Sequence, residues 1–413
     1  MRDFGALRPI LAHEPSSLGP YPGRMKLCTL ITALSLSLLC ACAATSNEKD
    51  FNQALPPGSP ALIRVLDEGQ WPDIREGWIQ RDELMPALER SIDWTQRTYA
   101  QQFFPIEGIS HAQALASLER FRDLLESSTS ASAFEDSVRR EFALYKSAGW
   151  DGRGGGVLFT GYFTPILEGR LEPSTAFAYP LYALPDDLEK GAQGEILGQR
   201  TAAGLRPYPT RRAIEASGLL TERGLELVWF SDPLDAFIAH VNGSAFVRLS
   251  DGSLARFGYA GNNGAEYTSL ARELVAAGEL PPGGSNLAAI RRWARSNSVK
   301  VEEFLERNDR YVFFTPIEGN PRGSLNLEVS AGRTLATDKA LFPRGAVVFV
   351  DTHTVGAEWR QGPRYQQFML DQDTGGAIRT AGRADIYVGV GDGAEITSGS
   401  LKAEGQLYYL FLD

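Results

Sequence analysis

The sequence has few of the side chains that usually carry covalent or metal chemistry. Its 413 residues include only 3 cysteines and 4 histidines. The cysteines are Cys28, Cys40 and Cys42, so residues 43–413 have no thiol for a disulfide, a metal ligand or a nucleophile. The histidines are far apart, without HExxH-type spacing. We therefore expect neither a metal nor a cofactor.

Positive charge is also scarce. The chain has 41 Lys+Arg against 51 Asp+Glu, a formal net charge of −10 at pH 7, and no basic run. Nucleic acid is not an expected partner, since basic patches are what bind its phosphates. The sequence also lacks a phosphate loop, a GxGxxG after a strand and a nucleophile elbow. Hydrophobic residues at 43% and charged residues at 22% indicate a globular protein of roughly two to three domains.

No apolar run is long enough to favour a membrane-spanning helix, but a shorter one follows Met25-Lys26. A positive start, an apolar run of about 13 residues and small residues after it are typical of a secretory signal and favour Met25 as the true start. Leu39-Cys40-Ala41-Cys42 resembles the bacterial lipobox, in which the last cysteine, here Cys42, is lipidated. Because Ala43 is not an aspartate, we expect an outer-membrane lipoprotein that faces the periplasm of a Gram-negative bacterium. An ordinary cleaved signal with incidental cysteines is the alternative.

The rest of the chain changes character twice. After the leader (1–42), residues 43–60 are expected to form a flexible tether. Residues 1–42 carry 4 Lys/Arg and 2 Asp/Glu, so the chain without its leader has a net charge of −12. Two apolar stripes then predict helices; they comprise Leu115, Leu118, Phe121, Leu124 and Leu125, and Phe134, Val138, Phe142 and Tyr145. Strand patterns follow from VLFTGYFTP (157–165) onwards, with a hairpin turn at Asp251-Gly252 and one helical interruption at 285–307, which Ser285 would cap. From Tyr311 the pattern is again strand-rich, with YVFF, GAVVFV, ADIYVG and QLYYLFL.

Two aspartates are the candidates for chemistry. Asp373-Thr374-Gly375 looks like the triplet of an aspartic protease, but such an enzyme needs two aspartates that share a proton, and the sequence has no second triplet. Glycoside cleavage instead needs a carboxylic acid that keeps its proton, which apolar surroundings favour. Asp385 lies between Ala384 and Ile386-Tyr387-Val388 and fits this requirement. On local sequence alone, a turn role stays open for either aspartate.

Several motifs in order carry a family resemblance. Three aspartates lie in the motifs LATD (Asp338), QDTGGAI (Asp373) and RADIYVG (Asp385). The upstream motifs are TGYFTP (160–165), GLELVWFSDPLDAFIAHVNGS (224–244), GYAGNNGAEYTS (258–269) and NDRYVFF (308–314). Over about residues 150–413 the chain resembles the membrane-bound lytic murein transglycosylase A family, whose C-terminal part is a three-aspartate domain.

The resemblance implies a fold that is mainly β with a helical N-terminal part. Residues 61–166 and 305–413 would form the helical preface and a double-psi β-barrel, with the three-aspartate domain at about 320–413. Residues 167–304 would form a second, small β-barrel that is inserted into the first. The substrate groove would lie between the two barrels.

The resemblance also implies a reaction. The family cleaves the β-1,4 bond between N-acetylmuramic acid and N-acetylglucosamine in peptidoglycan, and the muramic acid's own C6 hydroxyl attacks C1 to leave a 1,6-anhydro end. Asp385 would be the single acid/base, Asp373 would assist catalysis by holding the loop or tuning Asp385, and Asp338 would be structural. No water nucleophile is used, so a second catalytic carboxylate is not required.

The groove would be lined by residues that match the family's motifs. The expected substrate-binding residues are Gly161, Tyr162, Thr164, Asn242, Gly243, Ser244, Tyr259, Gly375, Gly376 and Tyr387. Tyr162, Tyr259 and Tyr387, together with Trp229, are candidates for stacking on sugars, with core packing as the alternative for each. The chain departs from the family at Asn242-Gly243-Ser244-Ala245 (Gln-Gly-Ser-Gly in the family), at Asn308-Asp309-Arg310-Tyr311 (Asn-Pro-Ser-Tyr) and at Arg333-Thr334 (Arg-Ser), which puts substrate affinity in doubt more than reaction type.

A second hypothesis comes from a different class of protein. A non-catalytic, expansin-like lipoprotein would bind peptidoglycan glycan strands without cutting them, and it would keep the aromatic residues while dispensing with Asp385. In both hypotheses the partners are glycan strands and the outer membrane. Proteins of cell-wall synthesis or division, the oligomeric state and the preference for chain ends are left open.

Overall fold

The computed structural model describes residues 49–192, 194–284, 286–355 and 361–413. The predicted leader and Cys42 lie outside these ranges. The helices are α1 (Arg75–Ile79), α2 (Arg81–Thr95), α3 (His111–Ser127), α4 (Ala131–Glu141), α5 (Arg211–Ser217), α6 (Pro233–Asn242), α7 (Leu270–Ala276), α8 (Leu287–Ser296), α9 (Ser298–Leu305) and α10 (Asp392–Ser400). No described helix combines the length with the apolar character that crossing a membrane requires.

Strands make up most of the remainder. In chain order they are β1 (Leu62–Arg64), β2 (Phe142–Ser147), β3 (Val157–Thr164), β4 (Ile166–Glu168), β5 (Tyr179–Tyr182), β6 (Leu188–Lys190), β7 (Ile196–Thr201), β8 (Gly204–Arg206), β9 (Glu226–Phe230), β10 (Ala245–Arg248), β11 (Leu254–Asn262), β12 (Val312–Pro316), β13 (Thr334–Ala336), β14 (Val347–Val355), β15 (Gln361–Asp373), β16 (Arg383–Val390) and β17 (Lys402–Leu412). The strands predicted from VLFTGYFTP, YVFF, GAVVFV, ADIYVG and QLYYLFL are thus confirmed, as is the hairpin between β10 and β11.

The largest sheet contains both candidate aspartates. Its strand order is β1-β2-β17-β14-β15-β13-β16-β3, and β17 pairs with β3 as well. Hydrogen-bonded pairs therefore run from β3 through β17, β14, β15, β13 and β16 and return to β3. A buried apolar cluster from these strands includes Phe159, Val348, Met369, Ile386 and Tyr409. The two strands that bear the aspartates, β15 and β16, thus each have a paired strand on both sides.

Helices α1 to α4 cover another part of this sheet. Phe121 of α3 packs edge to face on Phe368 of β15, with ring centroids 4.9 Å apart, inside a second buried cluster. Ser110 caps α3 and Ser130 caps α4, because each side chain accepts a backbone hydrogen bond in the first turn. The second predicted helical stripe is wrong beyond Glu141. Phe142 and Tyr145 belong to β2, whose backbone pairs with β1 and β17.

The stretch between β3 and β12 forms three small sheets and five of the described helices. The sheets have the orders β12-β11-β10-β4, β5-β9 and β6-β7-β8. Isolated bridges join Ala183 to Phe314 and Arg170 to Trp229, and so connect the first two sheets at both ends. The prediction of one helical interruption is wrong, since α5 to α9 all lie here. The predicted helix at 285–307 is two helices that meet at Asn297; Asn286 caps α8, and Ser285 lies outside the described residues.

The predicted tether, residues 43–60, is described only from residue 49 onwards. Residues 49–60 pack on the main sheet, which contradicts the expectation of a flexible linker up to residue 60. Lys49 pairs with Glu404 at 2.6 Å, and the Thr380 hydroxyl donates to the Phe51 carbonyl at 2.6 Å. Phe51 also contacts the Trp150 ring edge to face at 6.5 Å. These contacts attach the start of the described chain to the sheet.

Candidate active site

The register of the main sheet places the two candidate aspartates in one row. Ala336 of β13 pairs with Asp373 of β15 on one side and with Asp385 of β16 on the other. Asp385 in turn pairs with Thr160 of β3. Neighbouring strands lie about 4.8 Å apart, so the Cα atoms of the two aspartates are about 10 Å apart. Residues that are distant in sequence thus meet on one edge of the sheet.

A cavity of about 360 Å³ opens at this row. Its polar side comes from β3, β16, α10 and the loop after β15, and it includes Gly161, Tyr162, Asp373, Thr374, Gly375, Gly376, Asp385 and Ser398. Its apolar side comes from α6, α7 and α8 of the inserted stretch, and it includes Leu234, Phe237, Ile238, Val241, Leu270, Leu287 and Ile290. The cavity therefore lies between the sheet and the insert, and both candidate aspartates line it.

Asp385 is held by one of its two carboxylate oxygens. Oδ1 accepts a short hydrogen bond from the Thr160 hydroxyl, and the Arg383 guanidinium lies 3.4 Å from the same oxygen. Arg383 also lies 3.3 Å from the Thr160 hydroxyl. Within the described residues Oδ2 has no hydrogen-bond partner, and the side chain is 17% exposed. One oxygen is thus anchored while the other is available to a molecule in the cavity.

Asp373 has both oxygens occupied. Oδ2 accepts from the Tyr162 hydroxyl at 2.7 Å, and Oδ1 accepts from the backbone amides of Ser324 and Thr374, each at 2.8 Å. Removal from water raises the pKa of Asp373, while these three hydrogen bonds act in the opposite direction. The carboxyl group fixes Tyr162 and the start of the glycine loop, which points to a positioning role.

The other predicted residues divide into three groups. Gly161, Tyr162, Asn242, Gly375 and Gly376 line the cavity. A second group lies behind the wall. It is a cluster in which the Thr164 hydroxyl lies 3.1 Å from the hydroxyls of both Ser244 and Tyr387.

The position of this cluster bears on the predicted sugar contacts. Thr164, Ser244 and Tyr387 are all buried, and they do not line the cavity. The Tyr387 ring packs on the Tyr162 ring, with centroids 5.2 Å apart, so its contact is with protein rather than with a sugar face. The three side chains therefore support the cavity wall from behind.

Four further predicted residues lie outside the lining. Gly243 ends α6 with a left-handed φ of 70°, and its N–H bonds to Ala239. Tyr259, 45% exposed, lies beside Gly243 on β11, and Trp229 lies on β9. Asp338 is buried and caps a turn by accepting from the Ala340 amide at 3.0 Å.

Sequence reasoning missed four functional candidates. Thr160 and Arg383 hold Asp385, and only the strand register could have placed them there. His240 and Arg310 line the cavity from the insert. Burial first, and then the Arg211 charge, keeps the pKa of His240 well below its ordinary value, so this imidazole is neutral. Among the described residues, no cluster of three or more His, Cys, Asp or Glu side chains could hold a metal ion.

The fold and the site define a class of proteins with two parts, a β-sheet core and an inserted stretch, and with a cavity between them that two aspartates line. The comparisons with known families find the same two parts. Residues 158–315 match the model of the MltA specific insert domain, and residues 333–411 match the 3D domain. The chain belongs to the membrane-bound lytic murein transglycosylase A family.

Named relatives support this assignment. The membrane-bound lytic murein transglycosylase A of Vibrio cholerae is 33% identical over 264 residues, which cover 63% of this chain and 66% of that protein. The Escherichia coli K12 protein of the same name is 30% identical over 260 residues, with 62% and 66% covered. The match thus spans slightly less than two thirds of these relatives.

Solved structures agree over a longer stretch. The crystal structure of a membrane-bound lytic murein transglycosylase from Agrobacterium tumefaciens has a TM-score of 0.70 at 26% identity, and it covers 85% of this chain and 98% of its own. The structure of E. coli MltA with bound chitohexaose has a TM-score of 0.64 at 23% identity and covers 89% and 96%, which is a likeness of fold.

Proposed function

We propose that the protein is a peptidoglycan lytic transglycosylase that cuts the β-1,4 bond between N-acetylmuramic acid and N-acetylglucosamine. The observation that carries this proposal is the state of Asp385. One of its oxygens is anchored by Thr160 and Arg383, and the other is free at the cavity. A single carboxyl group that is rigidly held and accessible by one atom is what a proton-transfer catalyst requires. Membership of the family adds the substrate class.

In the proposed reaction the Asp385 carboxylic acid donates its proton from Oδ2 to the glycosidic oxygen as the C1–O bond breaks. The C6 hydroxyl of the same muramic acid attacks C1 and closes a 1,6-anhydro ring. Its proton passes to the Asp385 carboxylate, which restores the acid. The nucleophile is already part of the substrate, so the step gains from effective molarity and needs no bound water.

The surroundings of Asp373 favour one catalytic carboxylate over two. Both of its oxygens already accept hydrogen bonds, from Tyr162, Ser324 and Thr374, so activating a water or attacking a sugar would compete with these bonds. Glycosidases with two catalytic carboxylates need the second group for one of these tasks. We therefore assign Asp373 the role of positioning the cavity wall, and Asp338 a structural role.

The proposal extends to architecture and location. The ring of pairings through β3, β17, β14, β15, β13 and β16 would be the double-psi β-barrel (61–166 and 305–413), and 167–304 the second small barrel, with glycan strands bound between them. The remaining predicted substrate contacts, Gly161, Tyr162, Asn242, Gly375 and Gly376, are those that line the cavity. A lipid on Cys42 would hold the enzyme at the periplasmic face of the outer membrane.

The test is product analysis on purified sacculi. The full chain, purified in detergent, is incubated with sacculi, and the released muropeptides are analysed by mass spectrometry. Products lighter by one water than hydrolysis products are expected. Asp385→Asn should abolish release while binding to sacculi stays nearly intact. Products with reducing ends would instead indicate a muramidase that uses water. Retention on sacculi without any release by the unaltered protein would favour the expansin-like binding lipoprotein.

A further inference from the structure

One cation in the cavity wall lacks a carboxylate partner. Arg310 is half-buried and lines the cavity. No Asp or Glu oxygen among the described residues lies within the 4.0 Å of a salt bridge from its guanidinium, and exposed Glu266 acts on it only at longer range. Two other arginines near the cavity are paired with aspartates. Arg383 lies 3.4 Å from Asp385, and Arg291 lies 2.7 Å from Asp235.

The guanidinium of Arg310 is oriented by one contact. Its Nη1 donates to the Ala265 carbonyl at 3.0 Å, while Nε and Nη2 make no hydrogen bond within the described part of the chain. Neither atom is sealed from solvent. Nε and Nη2 form one edge of the planar group, and this edge matches the two oxygens of a carboxylate. The arginine thus presents an unused pair of parallel donors.

The free edge of Arg310 belongs to a positively charged corner of the cavity. A Cβ at Gly376 would lie 3.3 Å from Arg310 Nε, so the guanidinium lies against the glycine loop that also carries Asp373. Arg379 reaches the other side of this loop, where its Nε lies 3.4 Å from the Gly376 carbonyl. Arg379 has no acidic partner within salt-bridge distance among the described residues either. Burial and the Arg379 charge lower the pKa of Arg310, so an anion at this corner would relieve an unfavourable charge.

We propose that Arg310, with Arg379 at the rim, binds a carboxylate of the peptide stem on a muramoyl residue beside the scissile bond. The sugars of peptidoglycan are uncharged once the lactyl group is amide-linked, so the anionic groups of this substrate are on its stems. The inference rests on the proposed function, because it names a second contact of the same substrate.

The experiment compares three substrates with the full chain. They are stem-bearing glycan strands, the same strands with stem carboxylates converted to amides, and strands stripped of stems by an amidase. Arg310→Gln should lower the ratio of kcat/KM for stem-bearing over stripped strands about tenfold, the loss expected for a charge-assisted hydrogen bond. Arg310→Lys should retain part of this preference. Arg379→Gln should lower it about twofold, because it is exposed.

Matched controls separate the outcomes. Arg97→Gln removes an exposed arginine outside the cavity and should leave the ratio unchanged. For the unaltered protein, amidated strands should behave like stripped ones. An equal loss on all substrates, or no loss on any, would overturn the carboxylate site. If the unaltered protein cuts none of them, the proposed function fails, and equilibrium binding of stem-bearing strands to Arg310→Gln then decides the role of the arginine by itself.

Discussion

At the scale of single residues, the proposed catalysis depends on how one carboxyl group is held. Thr160 donates to Asp385 Oδ1, and the strand register sets both in one row. We predict that Thr160→Val lowers kcat about tenfold to a hundredfold and changes KM little, because the acid loses its fixed orientation and not its substrate contacts. Thr160→Ser keeps the hydroxyl and should retain most of the activity. Equal kcat for Thr160→Val and the unaltered protein would contradict this role of the hydroxyl.

His240 gives a second prediction at this scale. Its Nδ1 accepts from the Val312 amide at 3.1 Å and lies 3.2 Å from Arg211 Nη2, so a proton on Nδ1 is disfavoured. Because the folded pKa is well below 6.5, the unfolded chain binds the proton first. The corresponding stability is present above pH 6.5 and is lost as the pH falls towards the folded pKa.

The measurement is the free energy of unfolding in urea at pH 7.5 and pH 5. His240→Gln keeps an acceptor for the Val312 amide and should reduce the loss on acidification by up to about 2 kcal/mol. His111→Gln, which removes a half-exposed histidine of α3, is the matched control and should keep that loss. An unchanged pH dependence in His240→Gln would rule out burial of a neutral imidazole as its source.

At the scale of elements, the cavity wall depends on the close approach of β3 and α10. The Ser398 hydroxyl donates to the Gly161 carbonyl at 2.6 Å, and a Cβ at Gly161 would lie 2.7 Å from the Ser398 Cα. Gly161→Ala should therefore push α10 from the sheet and cost about 1–3 kcal/mol of stability, together with activity. Gly393→Ala on α10 meets nothing within 4 Å and should be neutral or slightly stabilising. Urea unfolding of both variants checks this, and similar values would contradict the packing argument.

At the scale of the whole molecule, a buried ion pair connects strands that are remote in sequence. Lys339, which follows β13, pairs with Asp371 of β15, and Asp371 also accepts from Tyr409 of β17 at 2.8 Å. Burial lowers the pKa of Lys339, whereas Asp371 acts in the opposite direction. The pair is buried on both sides, at 6% and 0% exposure, so its loss leaves an uncompensated charge in the core.

We predict that Asp371→Asn costs about 3–5 kcal/mol of unfolding free energy at neutral pH, and less as the pH rises and Lys339 loses its proton. Asp351→Asn is the control, because its partner Arg364 is 55% exposed and such pairs contribute about 1 kcal/mol or less. Denaturant unfolding of both variants gives the comparison. Equal destabilisation of the two variants would contradict the argument that loss of the buried Asp371 costs more than loss of an exposed ion pair.

The sequence predicts strands and helices more readily than it predicts the long-range contacts between them. The strands of the main sheet follow from runs such as GAVVFV and QLYYLFL, because their apolar residues are continuous where both faces are buried. The apolar period of Phe134 and Val138 continues to Phe142 and Tyr145, so the sequence predicts a helix that is too long. In the structure these last two residues belong to a strand, because their backbone pairs with β17. The helix predicted at 285–307 does not anticipate the break at Asn297, because the spacing of apolar residues does not reveal the non-helical backbone there, with φ −137° and ψ 41°.

The sequence by itself determined which side chains are available as catalytic groups. With no thiol after Cys42 and only scattered histidines, carboxylates remained as the catalytic candidates, and the ordered aspartate motifs pointed to Asp373 and Asp385. The tertiary structure decided how each of them is held. Parallel pairing of β16 with β3 brings Thr160 to Asp385. Both oxygens of Asp373 accept hydrogen bonds, from the Tyr162 hydroxyl of β3 and from the backbone amides of Ser324 and Thr374. It also placed Thr164, Ser244 and Tyr387 behind the wall and Arg310 on it. These outcomes depend on strand register and on the approach of the insert, which are long-range properties that local residue patterns do not encode.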